Sequence, residues 1–128
     1  MEMMHNAVSW FEIPTADFDR AKRFYSTIFD FDMPEMTFGP VRMGFLLHDR
    51  ESGGIGGAIV HNAEFYKPHG DEVKLYLNGG RDLARVLDRV PGAGGEVLIP
   101  KRMISPEMGF MAMFTDSEGN TLALHSKE

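Results

Sequence analysis

The order strand, helix, strand, strand, strand runs through this chain twice, and few folds accommodate such a doubling. Ala7 to Ile13 mixes β-branched and aromatic residues and stops at Pro14, which cannot donate to a sheet ladder, so a first strand is expected there. Phe18, Ala21, Phe24, Tyr25, Ile28 and Phe29 then recur at helical spacing, with Thr15 or Asp17 placed to cap the first turn. Three short apolar stretches follow, Met33 to Phe38, Val41 to His48 and Ile55 to His61, separated by Gly39-Pro40 and by the polar, glycine-rich run 49–54. After a connection containing Pro68 and Gly70, Val73 to Leu77 alternates as a strand. Leu83, Val86, Leu87 and Val90 form the stripe of a second helix, which Pro91-Gly92 is expected to end. Glu96 to Ile99, Phe110 to Thr115 and Thr121 to His125 complete the second set, with a weaker stretch from Arg102 to Ile104. Ala21 and Ala84 hold equivalent places in the two helices, 63 positions apart. Units of about 60 residues bury too little apolar surface to be robust alone, so one shared core or a dimer is implied.

Two segments carry a more specific signal. The first is Phe11-Glu12-Ile13-Pro14-Thr15-Ala16-Asp17-Phe18-Asp19-Arg20-Ala21, closed by Phe24-Tyr25; the second is the turn Asp116-Ser117-Glu118-Gly119-Asn120 before a short final strand. With the second helix and Gly94-Gly95, they give the chain a pattern that resembles the vicinal oxygen chelate superfamily over nearly its whole length. That superfamily includes glyoxalase I, bleomycin and fosfomycin resistance proteins and extradiol dioxygenases. The resemblance implies an α+β fold in a single domain, 1–128, whose two βαβββ modules, about 5–62 and about 72–126, form a curved, mostly antiparallel sheet around a central cleft. It also implies a homodimer, since two-module members of this size commonly pair.

Metal enzymes of the superfamily hold one divalent ion with His and Glu from the first and last strands of each module. Such ligands keep the ion Lewis-acidic, with open positions for neighbouring substrate oxygens. Carried onto this sequence, those positions fall on Trp10, on Gly56 or Gly57, near Glu72, and on Ala123. One carboxylate does not make a chelate site, so the expectation is that there is no metal and no cofactor, and that the activity of glyoxalase does not transfer with the fold. The alternative is a rebuilt divalent-metal site in which Glu12 and His125 serve with His61.

Strand alternation places Glu12 on the same face as Trp10 and turns Phe11 and Ile13 toward the helices. The same rule groups Tyr76 and Lys74 with Glu72, and His125 with Ala123. Trp10, Glu12, Tyr76 and His125 are therefore the expected ligand-binding residues, an aromatic wall with a few polar groups. Glu12 and His125 are the candidates for acid-base catalysis. Each has a duller reading: Trp10 fills the volume of a lost metal, Glu12 makes a structural ion pair, His125 bonds its strand neighbours, and Tyr76 packs in the core or an interface. His5, His48 and His69 are expected to face solvent. Among ten methionines, Met103, Met108, Met111 and Met113 either line an adaptable apolar pocket or fill the core. The runs 53–57 and 92–95 lack the strand-then-helix setting of phosphate loops and read as turn and close-approach glycines.

Composition narrows the function classes. A net charge of −6 without a basic cluster disfavours nucleic acid and anionic membranes as partners. With no cysteine there is no disulfide, thiolate metal site or cysteine nucleophile. Met1 to Phe11 has no basic segment leading into an apolar run, and the longest apolar stretch, Met111 to Phe114, is far too short to span a bilayer, so a cytoplasmic protein is expected. Three functions remain in play. The leading one is a metal-free protein that sequesters or transforms a small, partly apolar molecule in the inter-module cleft. The second is a metal-dependent glyoxalase-like lyase or dioxygenase with an unusual ligand set, and the third is a structural partner whose cleft is filled by side chains.

Overall fold

The computed structural model describes residues 6, 8, 10–62, 68 and 74–128. Strand β1 (Trp10–Pro14) leads to helix α1 (Phe18–Ile28), where Asp17 is the N-cap and its side chain accepts from the Arg20 N–H. The apolar stripe read from the sequence is the buried one, with Phe18, Ala21, Phe24, Tyr25 and Ile28 all inside. Strands β2 (Glu35–Phe38), β3 (Val41–Phe45) and β4 (Gly56–His61) complete a sheet in the order β1-β4-β3-β2, in which β1 runs parallel to β4 and the other pairs are antiparallel.

The second module repeats this plan. Strand β5 (Tyr76–Asn78) lies parallel to β8 (Thr121–Ser126), and β7 (Gly109–Thr115) and β6 (Glu96–Ser105) continue antiparallel in the order β5-β8-β7-β6. Two expectations are corrected here. The second helix is two short helices, α2 (Ala84–Leu87) and α3 (Val90–Ala93), and Pro91-Gly92 lies inside α3. Proline has no N–H to continue an α ladder but fits the first turn of a new helix, so it restarts the chain at Val90. Gly94, at φ 104°, then closes α3 in the left-handed conformation. The stretches Glu96–Ile99 and Arg102–Ile104, read as separate, are one strand running through Pro100, which an edge strand with register shifts tolerates. The beginnings expected for β1 and β5 fall largely outside the described residues.

A single core joins the modules. Phe24, Tyr25 and Ile28 of α1 pack with Leu83, Val90, Phe114 and Leu124 of the second module, and Phe24 stacks on Phe114 with ring centroids 6.2 Å apart. The two helical regions meet at α1 and α3, where the Arg89 guanidinium donates to the Ile28 carbonyl at 3.0 Å. This is the shared core that two marginal half-sheets require.

The turn between β7 and β8 is the polar half of that junction. Glu118, its side chain fully buried, accepts from the N–H groups of Ala16 (2.9 Å) and Asp17 (2.6 Å) and from Arg20 Nε (2.7 Å) and Nη2 (3.1 Å). Asn120 Nδ2 donates to the Pro14 carbonyl and to Asp116, and the buried Tyr25 hydroxyl donates to Asp116 Oδ2 at 2.8 Å. Asp116 also accepts the backbone N–H groups of Glu118 and Asn120. Gly119, at φ 88°, gives the turn its left-handed residue. The two motifs that carry the sequence resemblance are thus the two sides of one inter-module clasp.

Candidate functional site

Among the described residues a cavity of about 810 Å³ lies between the modules. Val8, Phe11, His48 and Gly56 line it from the first module, and Tyr76, Leu77 and Val86 from the second. Its volume falls within the range of sites for small organic ligands. A second cavity of about 750 Å³ lies on the sheet of the second module, where Tyr76, Arg102 and His125 meet Met103, Met108 and Met111. Tyr76 borders both.

Alternation along β1 follows the expected facing: Ile13 is buried and Phe11 packs against the core, while Trp10 is 41% exposed. The Trp10 indole meets Phe45 edge-on, with centroids 6.2 Å apart, and its N–H donates to Glu12 Oε2 at 3.3 Å. Trp10 and Glu12 line neither cavity. Tyr76, 53% exposed, and His125 share the second one. His125 Nε2 lies 2.7 Å from the Met108 carbonyl, which can only accept, so in the neutral ring Nε2 carries the proton and Nδ1 keeps its lone pair. The four residues read from the sequence therefore form two pairs, Trp10 with Glu12 and Tyr76 with His125. Of the methionine cluster, Met103, Met108 and Met111 line the second cavity.

The strand registers relate to one another the positions that the resemblance implies for chelation. Trp10 is the partner of Gly56 across β1 and β4, and Tyr76 is the partner of Ala123 across β5 and β8. Each aromatic stands eight residues before the first residue of its module's first helix, Phe18 or Ala84, so Tyr76 is the second module's counterpart of Trp10. The fourth position, expected near Glu72, thus falls on Tyr76, and Glu72 itself lies outside the described residues. An indole, a glycine, a phenol and an alanine do not fit the divalent ion that metal-dependent members hold. Nor do Glu12, His61 and His125 converge: His61 projects from the opposite face of β4 to Ala58, the partner of Glu12, and its Nδ1 lies 3.1 Å from the Thr15 carbonyl. Among the described residues no three His, Asp or Glu side chains come together as a metal-binding group.

His48 differs from expectation. It is half-buried, lines the inter-module cavity and packs against Gly56. His5 and His69 lie outside the described residues. The only signal for His48 in the sequence was the glycine at position 56, which leaves room for the ring. Gly57 likewise accommodates the Phe11 ring, since a Cβ there would stand 2.5 Å from its Cε1. Arg102 also went unnoticed, as the strand containing it was only weakly marked.

Parallel first-to-fourth strand pairing, repeated in two modules around one core and with a cavity between them, defines the architectural class of the chain. The chain belongs to the glyoxalase/bleomycin resistance protein/dioxygenase superfamily, whose family model matches residues 7–124. A glyoxylase-like domain-containing protein from Didymella fabae is 28% identical over 124 residues, covering 95% of this chain and 94% of its own. Among solved structures, the antibiotic-binding protein TnmS3 from Streptomyces sp. CB03234 superposes with a TM-score of 0.66 at 23% identity, over 99% of this chain and 100% of that one. Glyoxalase I from Zea mays superposes with a TM-score of 0.65 at 16% identity, over 92% of this chain but 43% of its own, longer chain. At these identities the structural matches speak for the fold alone.

Proposed function

We propose that this protein is a metal-free member of its superfamily that binds a small, partly apolar molecule in the cleft between its modules, sequestering it or acting on it by acid-base chemistry. One observation carries the reading. In both modules an aromatic side chain faces a residue with little or no side chain at the positions where metal-dependent relatives chelate, Trp10 opposite Gly56 and Tyr76 opposite Ala123. Ring surface beside open backbone suits contact with a ligand body, whereas a divalent ion needs several hard or borderline donors. Of the four residues expected from the sequence, Tyr76 borders the inter-module cavity and is the proposed contact there; His125 would serve from the adjoining cavity that Tyr76 also borders, and Trp10 with Glu12 would have to reach a ligand from beyond the cavity lining. A homodimer in the cytoplasm goes with this reading, and the exposed Met36 and Phe38 of β2 offer apolar surface for pairing.

The test is the metal content per chain of untagged protein after incubation with Ni(II), Zn(II), Mn(II) and Fe(II) followed by desalting. The expected result is no retained ion. Near-stoichiometric retention of one of them would overturn the reading and favour a lyase or dioxygenase with replacement ligands.

A further inference from the structure

We propose that His48 is the polar anchor of the inter-module cavity and selects neutral, largely apolar molecules that carry a hydroxyl or N–H donor. The proposal rests on the reading of that cavity as the ligand site. Residue 56 stands at the last-strand position of the first module, and as glycine it projects nothing. The His48 imidazole fills that place instead: a Cβ on Gly56 would overlap the ring, 2.6 Å from Nδ1 and 2.7 Å from Nε2. A ring from the segment after β3 thus supplies nitrogen where the usual strand position supplies none.

Its contact with a backbone carbonyl favours one tautomer. Nδ1 lies 3.4 Å from the Leu46 carbonyl, itself held in place because the Leu46 N–H donates to the Gly57 carbonyl at 2.9 Å. A carbonyl only accepts, so in the neutral ring Nδ1 bears the proton and Nε2 presents a lone pair. Apolar side chains such as Phe11, Phe29, Leu77 and Val86 make up most of the lining, together with the polar Asn6, Asp49 and Asn78. An acceptor there discriminates between ligands, because one without a matching donor covers the nitrogen without pairing it. Asp49 also lines the cavity and the chain carries a net charge of −6, so anionic ligands are repelled. Tyr76, which lines the cavity from the second module, brings a hydroxyl able to donate to a carbonyl of the molecule held by His48.

The probes are β-naphthol and its methyl ether, which share an apolar body and differ in one hydrogen-bond donor. Calorimetric titration of the wild-type chain and of His48→Leu gives the ratio of ether to alcohol dissociation constants for each. The expected ratio is about fivefold lower in His48→Leu, the worth of one net hydrogen bond. Gly56→Ala, which keeps the histidine but displaces its ring, is expected to lower the ratio similarly. Nitrogen NMR of histidine-labelled wild type needs no variant: the Nε2 resonance of His48 should move with β-naphthol and not with the ether. An unchanged ratio together with an unmoved resonance, when both probes bind, overturns the role of His48 and leaves the cavity reading standing. Binding of neither probe at millimolar concentration overturns both.

Discussion

Removing the Glu118 carboxylate should loosen the two modules. In Glu118→Ala, the N–H groups of Ala16 and Asp17 lose their acceptor at the entrance to α1, and the Arg20 guanidinium loses a two-point partner. Losing the acceptor at a helix entrance costs about 1 kcal/mol. Hydrogen bonds to a charged acceptor are worth about 1.5–3 kcal/mol each, but they are not additive on one carboxylate. Arg20 is about half-exposed and regains water, so the full penalty of a stranded buried charge does not apply and its share is about 1 kcal/mol or less. The expected loss is about 2–4 kcal/mol, a large part of the stability of a domain this size, and it lowers Tm by about 10 °C. Urea unfolding of wild type, Glu118→Ala, Arg20→Ala and the double variant checks both the total and the coupling between the two side chains. The exposed pair Lys22–Glu35, 2.8 Å apart, serves as the control and should cost under about 1 kcal/mol when broken. A loss in Glu118→Ala no larger than in that control would refute the clasp as a major support of the fold.

Two further outcomes follow from the same junction. Burial pushes the Glu118 carboxyl up, but the Arg20 hydrogen bond, the Asp17 N–H and Ser117 outweigh it and hold the group below its ordinary value. A carboxyl depressed in the folded state stabilises above its unfolded pKa of about 4.3, and that support is lost as pH falls through the folded value. The gap in urea midpoint between wild type and Glu118→Gln should therefore narrow below about pH 4, whereas a gap independent of pH would mean that charge is not its source. For Tyr25, burial and then the Asp116 charge raise the hydroxyl well above its ordinary value, keeping it a donor. Tyr25→Phe should cost about 1.5–3 kcal/mol in urea unfolding with an unchanged m-value, and a cost near zero would show that Asp116 is satisfied without it.

What could be read in advance was what depends on neighbours in the chain. The periodicity of α1 and its Asp17 cap are local, and so is the alternation that puts Trp10 on one face of β1 and Ile13 on the other. The break between α2 and α3 was misplaced because proline ends one helix and begins another with equal ease, and only packing selects between them. The strand β6 was divided in two because bulges hide a period of two residues. His48 was out of reach because its place depends on how β4 registers beneath the end of β3. The clasp depends on Glu118 meeting Asp17 and Arg20 across roughly a hundred residues, a pairing that no local pattern specifies.

That division explains why the family is evident while the chemistry is not. The residues that mark the family, Asp17, Arg20 and Tyr25 on one side and Asp116, Glu118 and Asn120 on the other, hold the modules together and line neither of the two cavities. The positions proposed to act on a ligand lie elsewhere, on the neighbouring strands β1 with β4 and β5 with β8 and on the segment after β3, apart from the residues of the clasp. A chain can therefore keep the whole frame while replacing chelating groups by an indole, a phenol and two small residues. One architecture is shared by glyoxalase I and an antibiotic-binding protein, so likeness to either speaks for the frame, and the proposed function rests instead on the side chains at residues 10, 56, 76 and 123.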